Sequence, residues 1–184
     1  FRRVLFRSEV METRLLRHAA PNRVSGMTKK VVTWSRQTRH HNSFDPLREG
    51  VLDVFGLLNE GHLQRAQQEL DALEPQLVAL AVSDDTRLLF GLAQGRLLQA
   101  MGRWPEAEAT LRGALQRAAV GKTTPINRGI TLDELARGLR KNNRWPEAEP
   151  LFREALRLLE EGNDTPIGRG RTMHELARGL RDNG

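Results

Sequence analysis

The sequence predicts an all-α solenoid in which antiparallel helix pairs stack one upon the next. Two long matches predict the stacking: RWPEAE at 103–108 returns at 144–149, and TPINRGITLDELARGLRKN at 124–142 returns as TPIGRGRTMHELARGLRDN at 165–183. Both matches have an offset of 41 residues, and periods of about 20–50 residues indicate stacked supersecondary units. The third observation is the spacing of apolar residues within each copy, which follows one face of a helix.

The first helix of each pair is predicted by a stripe of apolar side chains. Leu132, Leu135, Ala136 and Leu139 follow the i, i+3, i+4, i+7 spacing of one helix face. The polar stretch KNNR at 141–144 interrupts this pattern. We therefore expect the first helix to end there and the chain to turn.

The second helix is predicted to begin at Trp145-Pro146, since proline fits the first helical position, where its missing N–H costs nothing. Two glutamates follow in the first turn, where carboxylates interact favourably with the helix dipole. Small alanines that face large side chains let two helices approach closely. The predicted buried stripe consists of Ala148, Phe152, Ala155, Leu156 and Leu159.

The same offset places the whole array at residues 46–184. It predicts complete pairs at about 46–82, 85–120 and 124–161, followed by a half repeat at 165–184. Because the half repeat has a first helix only, we expect an array truncated at the C-terminus of a longer protein. Its uncovered apolar face favours self-association.

The stretch LDELARGLRKNNRWPEAEPLFREAL at 132–156 resembles the tetratricopeptide repeat, in the longer type found in kinesin light chains and many bacterial proteins. The resemblance covers roughly residues 47–184 and is weakest at 50–73. It implies a right-handed superhelix whose first helices line a concave, partner-binding groove, without catalysis. Gly91 and Gln94 stand where the family has larger apolar residues, so helix 86–101 is expected to pack less tightly.

Arginines recur along the predicted first helices, once per repeat and again one turn further on, and a histidine replaces Asp133 on the same surface. Such a ladder could bind an acidic peptide or a terminal carboxylate through charge-assisted, bidentate hydrogen bonds. The candidates for contact with a partner are Arg96, Arg137, Arg140, Arg178, Arg181 and His174.

The alternative is that these arginines are solvated and paired within their own helices. Helix spacing brings side chains three and four residues apart into contact, and such exposed pairs contribute only about 0.2–0.5 kcal/mol each. The pairs that this alternative predicts are Asp133–Arg137, Glu134–Arg137 and Glu175–Arg178.

The net charge of +6 belongs to the N-terminal residues. Residues 1–45 hold ten Lys or Arg against three acids, a net of +7, whereas the remainder holds 19 basic and 20 acidic residues, a net of −1. A basic footprint across the folded part, the usual sign of nucleic-acid binding, is therefore missing. Residues 9–45 are predicted to form a basic, disordered head, and Met27 is a candidate true start.

The first eight residues, FRRVLFRS, do not join the repeat pattern. The codons TTC AGA CGT GTG CTC TTC CGA TCT encode them and resemble the 3′ end of a short-read sequencing-library adapter. We therefore interpret residues 1–8 as a non-native translation of such an adapter. The alternative is a genuine basic anchor, although one short segment falls short of what stable membrane binding requires.

Several other functions are not expected from this sequence. It has no cysteine and no run near the roughly 18 apolar residues of a membrane span, and its first thirty residues lack a secretory signal, which together favour the cytoplasm. GKT at 121–123 has Gln116 where a phosphate-binding loop needs glycine, and His40-His41 has no further ligand spaced for a metal. We expect no cofactor, metal or catalytic residue.

The sequence thus favours a protein–protein interaction scaffold, part of a longer bacterial regulatory protein, which binds a protein or peptide partner with acidic residues. The alternative is a purely structural or oligomerisation spacer without a peptide ligand. Nucleic acid and membrane are not expected as partners.

Overall fold

The computed structural model describes residues 45–79 and 82–183, within which it contains seven α-helices and no strand. Three antiparallel pairs stack in chain order and a seventh helix follows them, so the predicted all-α helical-repeat solenoid is confirmed. Its handedness stays a prediction, and the interpretations of residues 1–8, 9–44 and His40-His41 lie outside the described residues. The helices are α1 (Pro46–Asn59), α2 (Leu63–Ala79), α3 (Asp84–Ala100), α4 (Trp104–Val120), α5 (Pro125–Lys141), α6 (Trp145–Glu161) and α7 (Pro166–Asn183).

Four helix starts are fixed by polar side chains that accept hydrogen bonds from the first-turn amides, among them that of α7, where Thr165 Oγ1 accepts from Gly168 N–H at 3.1 Å. Asp45 Oδ1 accepts from the N–H groups of Leu47 and Arg48 at 3.1 and 3.2 Å, and Ser83 Oγ accepts from Thr86 N–H at 3.1 Å. Thr124 caps α5 in the same way. These bonds satisfy amides that no earlier turn of the helix can pair.

Aspartates at the start of one first helix also hold the start of the next. Thr86 Oγ1 donates to Asp45 Oδ2 at 2.6 Å, and Lys122 N–H donates to Asp84 Oδ2 at 2.7 Å. Because the Asp84 carboxylate takes this amide, the loop at 121–123 presents an acid where a phosphate-binding loop would hold its anion. The loop serves as a joint between helix pairs.

Glycines bring α3 unusually close to α4. A Cβ added at Gly91 would lie 2.6 Å from the Ala114 Cβ, and one added at Gly95 would lie 2.6 Å from Leu111 side-chain carbons. The expectation of looser packing at Gly91 is therefore wrong, since the partner helix already fills the space that a larger side chain would need. Leu111 and Ala114 are 0% and 2% exposed.

A second set of glycines joins one helix pair to the next. A Cβ added at Gly138 in α5 would overlap the six-membered ring of Trp104 in α4, and one at Gly179 in α7 would overlap that of Trp145 in α6. Each tryptophan thus lies against a glycine of the following first helix. Hydrophobic contact of this kind couples neighbouring repeats, and their stacking stabilises a solenoid.

The stack curves toward its first helices. Consecutive first helices α1, α3, α5 and α7 pack directly on one another, whereas α2, α4 and α6 make no such backbone-level contact with each other within the described residues. The closer spacing on the first-helix side makes that side concave. None of the described helices combines the length and apolarity needed to cross a bilayer.

The second helices α4 and α6 do not pack on each other, but salt bridges between long side chains connect α4 to the start of α6. Glu108 pairs with Arg112 at 2.9 Å and with Arg144 at 2.6 Å, and Glu147 pairs with Arg144 at 2.7 Å and with Arg112 at 3.2 Å. The four side chains close a ring. Burial alone would raise the pKa of Glu108, but the hydrogen bonds from Arg144 and Arg112 hold it below its usual value.

Candidate partner-binding groove

The groove is the concave surface formed by α1, α3, α5 and α7. At its N-terminal end, the Arg96 guanidinium lies 5.5 Å from the centroid of the Phe55 ring, a cation–π distance. Arg96 donates to Asn59 Oδ1 at 3.1 Å and lies 3.5 Å from Glu134 Oε2. Arg96 is therefore held between three helices rather than solvated on its own.

The centre of the groove is occupied by α5. Arg137 lies 3.1 Å from Asp133 Oδ2 and 2.8 Å from Glu134 Oε2, so both predicted pairs within this helix form. Arg140 reaches across to Glu175 Oε2 on α7 at 2.7 Å, and its side chain is only 13% exposed. The central arginines are thus fixed in place by carboxylates of their own and the neighbouring helix.

The C-terminal end of the groove, on α7, is different. Arg178 lies 3.8 Å from Asp182 and Arg181 lies 3.2 Å from the same carboxylate, with side chains 51% and 75% exposed. The prediction of a Glu175–Arg178 pair is wrong, because Glu175 pairs with Arg140 on the neighbouring helix α5. His174 is exposed.

A shallow depression on α7 is lined by His174, Ala177, Arg178 and Arg181, and two more lie between neighbouring first helices. One, of about 470 Å³, lies between α3 and α5 and is lined by Arg96, Glu134 and Arg137 among others. The other, of about 410 Å³, lies between α5 and α7, where Arg137 and His174 line it. Arg137 borders both depressions, so the structure brings Arg96, Arg137 and His174 onto one continuous surface.

The charges of the groove are unevenly distributed. Seven basic side chains face four acids, and three of those acids are committed to the arginines of α3 and α5. The excess of positive charge therefore lies toward α7. The basic side chains are Arg96, Arg137, Arg140, Lys141, Arg171, Arg178 and Arg181, and the acids are Asp133, Glu134, Glu175 and Asp182.

Asp133 is a buried carboxylate in this groove, 7% exposed. Burial raises its pKa above the usual value, and the positive charge of Arg137 offsets only part of that effect. The folded state therefore holds the Asp133 proton more tightly than the unfolded chain does. The ionised carboxylate opposes folding at neutral pH, and this opposition disappears as the pH falls through the raised pKa toward the usual value.

We expect Asp133→Asn to raise the melting temperature by a few degrees at pH 7, because it removes a buried charge while Arg137 keeps Glu134 as its partner. The difference between variant and wild type should be smaller at pH 4 than at pH 7, because a larger fraction of the wild-type carboxyl is protonated there. Thermal unfolding of both proteins at the two pH values measures this. A difference that stays constant or widens toward acid pH contradicts the assignment.

Sequence reasoning missed two contributors to the groove. Phe55 stands one repeat period before Arg96, so the repeat offset places an aromatic ring in the arginine column. Glu134 was expected to pair only within its helix, yet it also reaches Arg96 on the preceding first helix. The offset could have identified Phe55, but nothing in the sequence indicates which of two neighbouring arginines a carboxylate will contact.

The stacked helix pairs define the described part of the chain as an all-α helical-repeat solenoid. In the described residues, no cluster of His, Asp and Glu side chains is arranged to hold a metal ion. Residues 88–161, which run from α3 to the end of α6, match the family model of the tetratricopeptide repeat. Such repeats are generally protein–protein interaction modules. No curated protein matches the chain.

Proposed function

We propose that the chain is an interaction scaffold whose groove binds an extended or helical partner segment that carries acidic residues. The observation that carries this proposal is the excess of exposed basic side chains at the α7 end of the groove. Arg171, Arg178 and Arg181 lie along one helix, and Asp182 is the only acid paired with any of them among the described residues.

The arginines divide into two groups with different roles. Arg96 and Arg140 are tied to carboxylates or amides between helices, so they hold the groove in shape. Arg178 and Arg181 are exposed and share one carboxylate, and exposed ion pairs contribute only about 0–1 kcal/mol. A partner carboxylate can therefore replace Asp182 at little cost and gain a charge-assisted hydrogen bond.

The test is peptide binding to the full 184-residue chain. Peptides selected from a random phage-displayed library on the immobilised chain should be enriched in Asp and Glu, and fluorescence anisotropy then measures their affinity. We expect the double variant Arg178→Glu/Arg181→Glu to weaken binding at least about tenfold, since hydrogen bonds to charged groups contribute roughly 1.5–3 kcal/mol each.

The matched control is Arg117→Glu/Arg157→Glu on α4 and α6. Both arginines are exposed, and their replacement changes the net charge by the same amount. We expect the control to bind within about threefold of wild type, because screening weakens charges that lie more than roughly 10 Å from the ligand. Selected peptides without an acidic bias, or equal losses in both double variants, contradict the proposal.

The second candidate function is a structural or oligomerisation spacer without a peptide ligand. The exposed apolar side chains of α7, with Met173 55% and Leu180 41% exposed, favour it. Light scattering separates the two: a spacer of this kind self-associates with concentration and selects no peptide. The cytoplasmic, bacterial regulatory setting stays a prediction.

A further inference from the structure

The outward side of α7 carries an apolar face that no described residue covers. In α5, the residues of this face are Leu135, Ala136 and Leu139, all at most 1% exposed. The residues one repeat period later, in α7, are Leu176, Ala177 and Leu180. Ala177 is exposed and Leu180 is 41% exposed. Equivalent positions of the repeat are therefore buried in α5 and exposed in α7.

The surroundings of one glycine in each helix explain why the face is buried in α5 and exposed in α7. A Cβ added at Gly129 in α5 would lie 2.9 Å from Leu159 and 3.1 Å from the carbonyl oxygen of Ala155, both in α6. No atom of the described residues lies within 4 Å of the corresponding point at Gly170 in α7. Among the described helices, none therefore lies over α7 as α6 lies over α5.

An ion pair on α6 matches one on α4 that helps to connect two repeats. Glu108 and Arg112 pair on α4; Glu108 accepts from Arg144 of the next repeat, and Arg112 donates to Glu147, which closes the ring of four side chains. Glu149 and Arg153 stand at the equivalent positions of the next repeat and pair in the same way at 2.7 Å. Within the described residues no second pair completes this half ring.

Charge indicates what kind of helix fits. α5 has four basic and two acidic residues, a net of +2, and is covered by α6, which has five acids and two arginines, a net of −3. α7 has four arginines and two acids, again a net of +2. A second copy that presented the same face would therefore bring two positive helices together, which is unfavourable.

We propose that the α7 face and the Glu149–Arg153 half ring form a second docking surface, which adjoins the α7 end of the groove, for an amphipathic and net-acidic helix with the side-chain pattern of α6. Its alanines would lie over Gly170 and Ala177, and its large apolar side chains would lie over Met173 and Leu180. A basic residue that precedes the helix would reach Glu149, as Arg144 reaches Glu108.

The probe is a fluorescein-labelled synthetic peptide with the sequence of residues 144–161, added to the full 184-residue chain. We expect a saturable rise in anisotropy and a gain of helical circular dichroism. Leu180→Asp should weaken binding at least about tenfold, since it places a charge at the centre of the contact. Val120→Asp at the 92% exposed end of α4 is the matched control and should leave the affinity unchanged.

A charge exchange tests the register of the peptide. Glu149→Arg in the protein should weaken the unmodified peptide severalfold, and a peptide with Arg144→Glu should recover that loss. If the peptide instead displaced the protein's own α6, its first arginine would meet Glu108, and Glu149→Arg would have no effect; that result overturns the proposal.

Two further outcomes also overturn it. One is equal binding of a scrambled peptide of the same composition. The other is concentration-dependent dimerisation that Leu180→Asp abolishes while the peptide fails to bind, which would assign the face to a second copy of the chain. Both Leu180 and Met173 are exposed, so Met173→Asp provides a second variant if Leu180→Asp alters the fold.

Discussion

Gly138→Leu will lower the free energy of unfolding by at least about 2 kcal/mol, at the upper end of what overpacking costs. Any side chain at position 138 overlaps the Trp104 ring, so α5 must move away from α4 or the indole must leave its site. This loss should outweigh the roughly 0.5–1 kcal/mol that replacing a mid-helix glycine normally contributes. Urea unfolding followed by circular dichroism measures it.

A second substitution, at position 104, should restore part of the lost stability, and the preceding repeat shows which residue to use. The equivalent positions of the preceding repeat hold Leu63 and Leu97, two leucines in place of the Trp104 and Gly138 combination. We therefore expect Trp104→Leu combined with Gly138→Leu to be clearly more stable than the sum of the single variants predicts, with a coupling of about 2 kcal/mol. Additive losses would mean that the tryptophan and glycine do not share one space.

Arg137→Glu will destabilise the fold by about 3–5 kcal/mol, the cost of breaking a buried ion pair. Asp133 and Glu134 are 7% and 8% exposed, and Arg137 contacts both. The substitution removes their partner and adds a third carboxylate in the same place. Thermal and urea unfolding at pH 7 measure the loss.

The control for this prediction is Arg153→Glu, which removes only an exposed pair with Glu149 and should cost less than about 1 kcal/mol. Arg137→Met should fall between the two variants, because it leaves the two acids unpaired without adding a charge. Equal stabilities of all three variants would show that the carboxylates of α5 are well solvated. Because Arg137 supports the fold, Arg178 and Arg181 are the suitable positions for binding tests.

The fold was predictable because its main signals are local and repeated. The apolar stripe at 132–139 and the Trp145-Pro146 start each specify one helix, and the duplication specifies that the helices stack. Gly91 was the exception. From the sequence, a glycine in a buried helix face suggests loose packing. Whether α4 fills the space beside Gly91 depends on how closely Ala114 approaches, which the sequence does not show.

The candidate groove was predictable only in part. The repeat offset correctly placed Arg96 and Arg137 on one surface, because equivalent positions of stacked helices face the same way. It could not assign Glu175 to Arg140 rather than to Arg178. That choice depends on the distance between α5 and α7, a tertiary quantity that no local pattern in the sequence encodes.

The most direct test of the groove as the partner-binding surface is an NMR titration of the arginine Nε–Hε resonances with a selected acidic peptide. We predict that the resonances of Arg178 and Arg181 shift in a saturable manner with one dissociation constant, while those of Arg117 on α4 and Arg157 on α6 stay unchanged. Shifts confined to Arg117 and Arg157 would contradict the proposal and place the partner on the second helices of the pairs.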